Sequence, residues 1–261
     1  MTGTPHPRTQ TEPGVVTVFS DIWCSFAHVG IHRLHATRRR LGLEDRVRFN
    51  HRAFPLELFN NGPSPRPGTD SEVGGIAHIE PDAGWQLWRA PDWKFPSSSM
   101  PALEAVQVAK EQGLEASERL DLALRRAFWA ESRSIGARAV VVAVAEETEG
   151  VDAEAVAAGL DDGRARRTVT EDFRCAKEHE VQCSPHLYLP DGSDHPNPGS
   201  PHAGTARTAP GFRRSPAMTR ARTRSCSSAL RAEPQPRGAA GGGGSAQVKM
   251  IDHQSLLLGN G

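Results

Sequence analysis

β-branched and apolar residues crowd the run Gly14-Val15-Val16-Thr17-Val18-Phe19-Ser20, which predicts a strand over 14–20. The period then lengthens. From Cys24 to Gly42 the apolar positions Ile31, Leu34 and Leu41 follow a helical pattern. Arg38, Arg39 and Arg40 gather at its end and Gly42 supplies the stop. Arg46-Val47-Arg48-Phe49-Asn50-His51 alternates again and predicts a second strand. A strand–helix–strand unit of this kind is expected to pair its strands in parallel.

Residues 55–75 are rich in proline and glycine, and Trp85, Trp88, Trp93 and Phe95 follow. These aromatics are expected to pack an inserted helical segment rather than to wall a substrate. The stretch 101–162 is helical by period, with Leu120, Leu124, Ala127 and Phe128 on one stripe and Val140 to Ala145 as a buried run. Another helix is predicted over 163–180. Val181-Gln182-Cys183-Ser184-Pro185-His186-Leu187-Tyr188-Leu189 then reads as a turn, a proline and a short strand, with Asp191-Gly192 as a hairpin turn.

The character changes after Gly199. Between 201 and 240 there are eight arginines and one glutamate, with almost no apolar period, and glycines fill 241–244. This predicts a tail that is disordered or translated in a shifted frame. One GC-rich back-translation of 211–230 reads, in another frame, as an amphipathic helix opened by Asp-Asp-Pro; stop codons there in the gene would exclude that idea. The expected organisation is a disordered lead over 1–13, a core domain from 14–54 and 166–199, a helical insertion over 55–165, and the tail over 200–261.

The balance of 31 basic and 31 acidic residues gives no global drive toward nucleic acid or membrane, and neither is expected as a partner. Met1 to Arg8 lacks the apolar core of a signal peptide, so a cytoplasmic location is expected. Cysteines 24, 175, 183 and 226 show neither a disulfide framework nor a zinc spacing, and the glycine run lacks the lysine of a phosphate loop. No metal or resident cofactor is expected.

Chemistry concentrates at Cys24. A thiol where a strand gives way to a helix meets unpaired N–H groups and the positive end of the helix dipole, which favour a thiolate. A dithiol centre needs a second cysteine three residues on, and position 27 is alanine. His28 could tune the thiolate as an imidazolium, or simply face solvent on the first helical turn. Asp21 fits either a proton relay or an Asx turn before the helix. Cys175 reads as core, and His51 and His186 have no ligand partner at a recognisable spacing.

Asp21-Ile22-Trp23-Cys24 with His28-Val29-Gly30, then His51 to Leu58, Pro101 to Ala105, and Val181 to Pro185 before a strand together resemble the DsbA-like thioredoxin-fold proteins of the FrnE type. The likeness covers about 14–199. It implies an α/β, thioredoxin-like fold with an inserted all-helical subdomain, whose C-terminal strand and helix would here be missing. It also implies roles. Cys24 matches the nucleophile and Pro185 a cis-proline facing it. Ser184 matches the residue whose backbone pairs with substrate, and Trp23 and Phe26 would border the same face.

Ala27 departs from the family's second cysteine, so dithiol turnover is expected to be impaired. Three functions follow. The first is single-cysteine thiol–disulfide chemistry on a small-molecule or protein thiol or disulfide, with glutathione as a possible cosubstrate and Cys183 as a possible second thiol. The second is a glutathione-dependent isomerase or transferase of the kappa or 2-hydroxychromene-2-carboxylate isomerase type, in which Cys24 would stand for that class's usual serine. The third is a non-catalytic remnant. Substrate and oligomeric state are not legible in the sequence.

Overall fold

A computed structural model describes residues 9–179 and 181–198. The tail, with Cys226 and the glycine run, lies outside the described residues, as does most of the N-terminal lead. The elements run β1 (Val15–Ser20), α1 (Ser25–Arg40), β2 (Arg48–Ala53), α2 (Leu56–Phe59), α3 (Arg66–Ile76), α4 (Met100–Lys110), α5 (Leu114–Trp129), α6 (Arg138–Glu146), α7 (Ala153–Asp162), α8 (Arg164–Glu178), β3 (His186–Tyr188) and β4 (Asp194–Pro196).

Four strands form one mixed sheet in the order β2-β1-β3-β4. β1 and β2 are parallel, from Val15 opposite Arg48 to Ser20 opposite Ala53. β3 runs antiparallel to β1, and β4 antiparallel to β3. The fourth strand is therefore present, which corrects the expectation that the C-terminal strand is missing. Asp194-His195-Pro196 is three residues long, half-exposed and polar, so it carries no alternation to read. Whatever follows Pro198 lies outside the described residues.

β1 is central and is covered on both faces, which is why its valines and phenylalanine are buried almost without interruption. Alternation sorts them. Val16 and Val18 meet Ile31 and Leu34 of α1 together with Phe49 and Leu187. Phe19 points the other way, to Cys175 and Ala176 of α8 and to Phe54. Helix α1 ends on Arg38, Arg39 and Arg40, cations placed at the negative end of its dipole.

The segment between β2 and α8 is helical, and its carboxylates close the sheet edge. Glu118 of α5 accepts the Phe49 N–H at 2.7 Å, and Asp172 of α8 accepts the Ala53 N–H at 3.0 Å. Gln107 and Lys110 of α4 donate to the His51 carbonyl. An edge strand that would offer its backbone to another chain is thus satisfied internally. α4 is the middle of this layer, buried from Ala102 to Ala109, with α5, α7 and α8 around it. α7 and α8 meet at Gly163, whose φ of 70° is a left-handed turn that other residues take at a cost.

Residues 55–75 are more ordered than their composition suggests. Proline starts α3 and buries Thr69, Val73 and Ile76 on one face at helical spacing. Of the aromatics that follow, Trp88 is buried and Trp85 and Phe95 pack against the helical core, while Trp93 is 80% exposed.

Candidate functional site

β1 delivers Asp21, Ile22 and Trp23 into a tight turn, and Cys24 caps α1. Asp21 builds that turn. Its Oδ1 accepts the Trp23 N–H at 2.9 Å, and its Oδ2 accepts from Leu56 N at 2.7 Å and Ser99 Oγ at 3.1 Å. The Asx-turn geometry is therefore present, and the same carboxyl also ties the turn to the helical layer. Burial raises Asp21 to about 6, against those hydrogen bonds and the nearby Arg125.

The Ser184–Pro185 peptide is cis. It sets the Ser184 carbonyl 3.1 Å from Cys24 Sγ, which donates to it. Ser184 Oγ accepts the Asp21 N–H at 2.9 Å, so the loop before β3 is bonded to the turn before α1 at two points. Gly30 makes this approach possible. A methyl group there would lie 2.9 Å from Pro185 Cγ. Gly30→Ala is expected to destabilise the protein by about 1–3 kcal/mol through that overlap. Urea unfolding measures it, and a loss under about 0.3 kcal/mol would mean the ring moves aside freely.

The electrostatics differ from the expectation for an exposed helix-capping thiol. Cys24 is 9% exposed. Burial pushes its thiol up to about 11, although the Ser184 hydroxyl and the Ala27 amide favour a thiolate; the carboxyls of Glu72 and Asp21 add to the rise. Helix α3 contributes to this cover. Thr69 accepts from Trp23 Nε1 at 3.2 Å, and Glu72, itself raised by burial, bonds Ser25. Cys24 in this form is a neutral donor.

His28 is also neutral, and it is buried rather than solvent-facing. Burial and Arg125 lower it to about 3. Its Nε2–H donates to Gly84 O at 3.2 Å, and its ring packs edge-on against Trp85 and stacks on Trp129. Trp23, expected at the substrate face, is 5% exposed and packs against Phe95 and Phe128. Phe26 is half-buried on the first turn of α1. Cys183 is half-buried, with Sγ 3.3 Å from Pro185 O; burial and the neighbouring Cys24 push it up to about 12.

The structure thus brings Cys24, Ser184, Pro185 and Cys183 together, and places Trp23 and His28 in the wall behind them. Sequence reasoning missed Glu72 and the pair Asp121–Arg125. Arg125, 1% exposed, forks onto Asp121 at 2.7 and 3.1 Å and donates to Asp21 O and Ser20 Oγ, each at 2.9 Å. Their i, i+4 spacing inside the Leu120–Leu124 stripe was an available signal; nothing local pointed to Glu72. Among the described residues no cluster of three or more His, Cys, Asp or Glu could hold a metal, and no helix is long and apolar enough to cross a membrane.

No curated protein matches the chain. Solved structures do. A probable DsbA oxidoreductase from Streptomyces coelicolor is 25% identical with a TM-score of 0.54, over 69% of this chain and 82% of that one. The cytosolic disulfide reductase DsbM from Pseudomonas aeruginosa is 18% identical with a TM-score of 0.51, over 69% and 87%. A 2-hydroxychromene-2-carboxylate isomerase shares the same identity, score and coverage. The last two likenesses speak for the fold alone. The model of the DSBA-like thioredoxin domain matches residues 15–201, so with its four-stranded sheet, capping cysteine and cis-proline the chain belongs to the DSBA-like thioredoxin domain family.

Proposed function

We propose that this chain carries out thiol–disulfide exchange at Cys24, on a small-molecule or protein disulfide, in the cytoplasm and with glutathione as the external thiol. The observation that carries the reading is Cys24 at the N-cap position of α1 with its Sγ facing the carbonyl before a cis-proline, and buried Ala27 where a dithiol partner would stand. Cys24, once deprotonated, attacks a disulfide sulfur. One half leaves as a thiol and the other stays on Cys24 until a second thiol releases it. The raised thiol predicts slow exchange near neutrality that accelerates as pH rises, because the reactive fraction is small.

The test is glutathione-coupled reduction of 2-hydroxyethyl disulfide. Cys24→Ser is expected to lower the rate roughly a hundredfold, since the nucleophile is gone. An unchanged rate would remove the reading.

One observation favours a second reading. A neutral Cys24 that donates a hydrogen bond at a helix N-terminus can stabilise a bound glutathione thiolate, as the serine of the isomerase class would. In that case Cys24→Ser retains glutathione binding in calorimetric titration, and the wild-type protein shows no exchange. Loss of both binding and exchange in the variant would favour the first reading.

A further inference from the structure

Cys183 is the other sulfur at this site. It directly precedes Ser184, whose carbonyl meets the Cys24 thiol at 3.1 Å, while its own thiol lies 3.3 Å from the carbonyl of Pro185. The two thiols therefore lie against the carbonyls of consecutive residues, Ser184 and Pro185. With Cα atoms 3.8 Å apart along the chain, Cys183 Cα lies within about 9 Å of Cys24 Sγ. Both cysteines are free. Position 27 is apolar and fully buried, so no thiol attends Cys24 from its own helix.

We propose that Cys183 is the resolving thiol of Cys24, replacing the cysteine absent at position 27. This rests on the reading of Cys24 as the exchanging thiol, and it adds an intramolecular second step. Cys24 first attacks a disulfide RSSR. The Cys24–SR bond forms, the RS–SR bond breaks, and the released RS⁻ takes the Cys24 proton. Cys183 then attacks the Cys24 sulfur of the mixed disulfide. The Cys24–Cys183 bond forms, the second RS⁻ leaves with the Cys183 proton, and two electrons have passed from the two thiols to RSSR. The thiol–carbonyl bonds of Cys24 to Ser184 and of Cys183 to Pro185 are weak, so breaking them to bring the sulfurs together costs little.

The experiment treats the full chain with oxidised glutathione and follows intact mass, with a non-reducing digest to locate each bond. The wild-type protein is expected to lose two hydrogens and to yield a Cys24–Cys183 linked peptide. Cys183→Ser is expected to keep a glutathionyl group on Cys24 roughly tenfold longer. Adding Ala27→Cys to that variant is expected to shorten the lifetime again by returning a resolving thiol to the usual place. A glutathionyl group that persists on Cys24 equally in the wild type and in Cys183→Ser would overturn the inference and leave exchange at Cys24 intact. A linked peptide through Cys175 or Cys226 would also overturn it. No adduct on Cys24 in either protein would remove both readings.

Discussion

Arg125→Ala is expected to destabilise the protein by about 3–5 kcal/mol, because it strands a buried carboxylate and cuts three ties at once. Asp121 is 2% exposed. Burial alone would raise its carboxyl, yet Arg125 and His51 hold it below the ordinary carboxylate range. Without the guanidinium that charge has no adequate partner; His51 Nδ1 stands 3.7 Å away and is itself neutral at pH 7, lowered to about 4 chiefly by burial. The Asp21 carbonyl and the Ser20 hydroxyl lose a donor in the same stroke. Replacing both members, Arg125→Met with Asp121→Leu, removes the stranded charge and is expected to recover at least half of the loss. Urea denaturation at pH 7 measures both. A loss below about 1 kcal/mol for the single variant would show that Asp121 takes up a proton or water at little cost. Because Arg125 grips the carbonyl of Asp21, which anchors the turn before Cys24, the single variant should also speed Cys24 alkylation.

The first strand, the first helix and the second strand were legible because each has a period and a boundary of its own. Valines at 15, 16 and 18 announce a buried central strand, and the arginines at 38–40 with Gly42 announce a helix end. The proline loop was legible only through resemblance, since Ser184 and Cys24 are 160 residues apart. The rest depended on distance in the chain. Nothing near Cys24 in sequence reveals that α3 helps to cover it, so helix-end electrostatics suggested a thiolate where burial keeps a thiol. Likewise Trp23 beside the nucleophile suggested a substrate wall, and only the packing of Phe95 and Phe128 shows it belongs to the core. α3 was hidden by its own composition. Pro67, Gly68, Gly74 and Gly75 weaken a helical reading, while Thr69, Val73 and Ile76 bury the face that holds it.

Acid is expected to destabilise this protein above the pH at which ordinary carboxylates titrate. His28 and His35 are lowered to about 3 and His51 to about 4, each chiefly by burial. The buried Nε2 of His35 and both ring nitrogens of His51 make no hydrogen bond among the described residues, and the Asp121 carboxylate 3.7 Å from His51 Nδ1 does not offset their burial. Once unfolded, each titrates near 6.5. Between pH 6.5 and 4 the unfolded chain therefore binds protons that the folded chain does not, and stability falls as pH falls. Asp21 opposes this: raised to about 6, it binds a proton in the folded state first and gains stability over pH 6 to 4, as Glu72 and Glu118 do in the same direction. The depressed Asp121 adds to the acid loss, and so does His186. With four lowered histidines set against three raised carboxyls, stability should fall as pH falls between 6 and 4.5. Urea midpoints taken across pH 7 to 4.5 test the slope, and a flat profile would mean these imidazoles find water or a proton partner in the folded state. His51→Leu isolates one of them. With no hydrogen bond to lose it should cost little at pH 7, and it should reduce the slope by about 1.4 kcal/mol per pH unit, the value of a single proton.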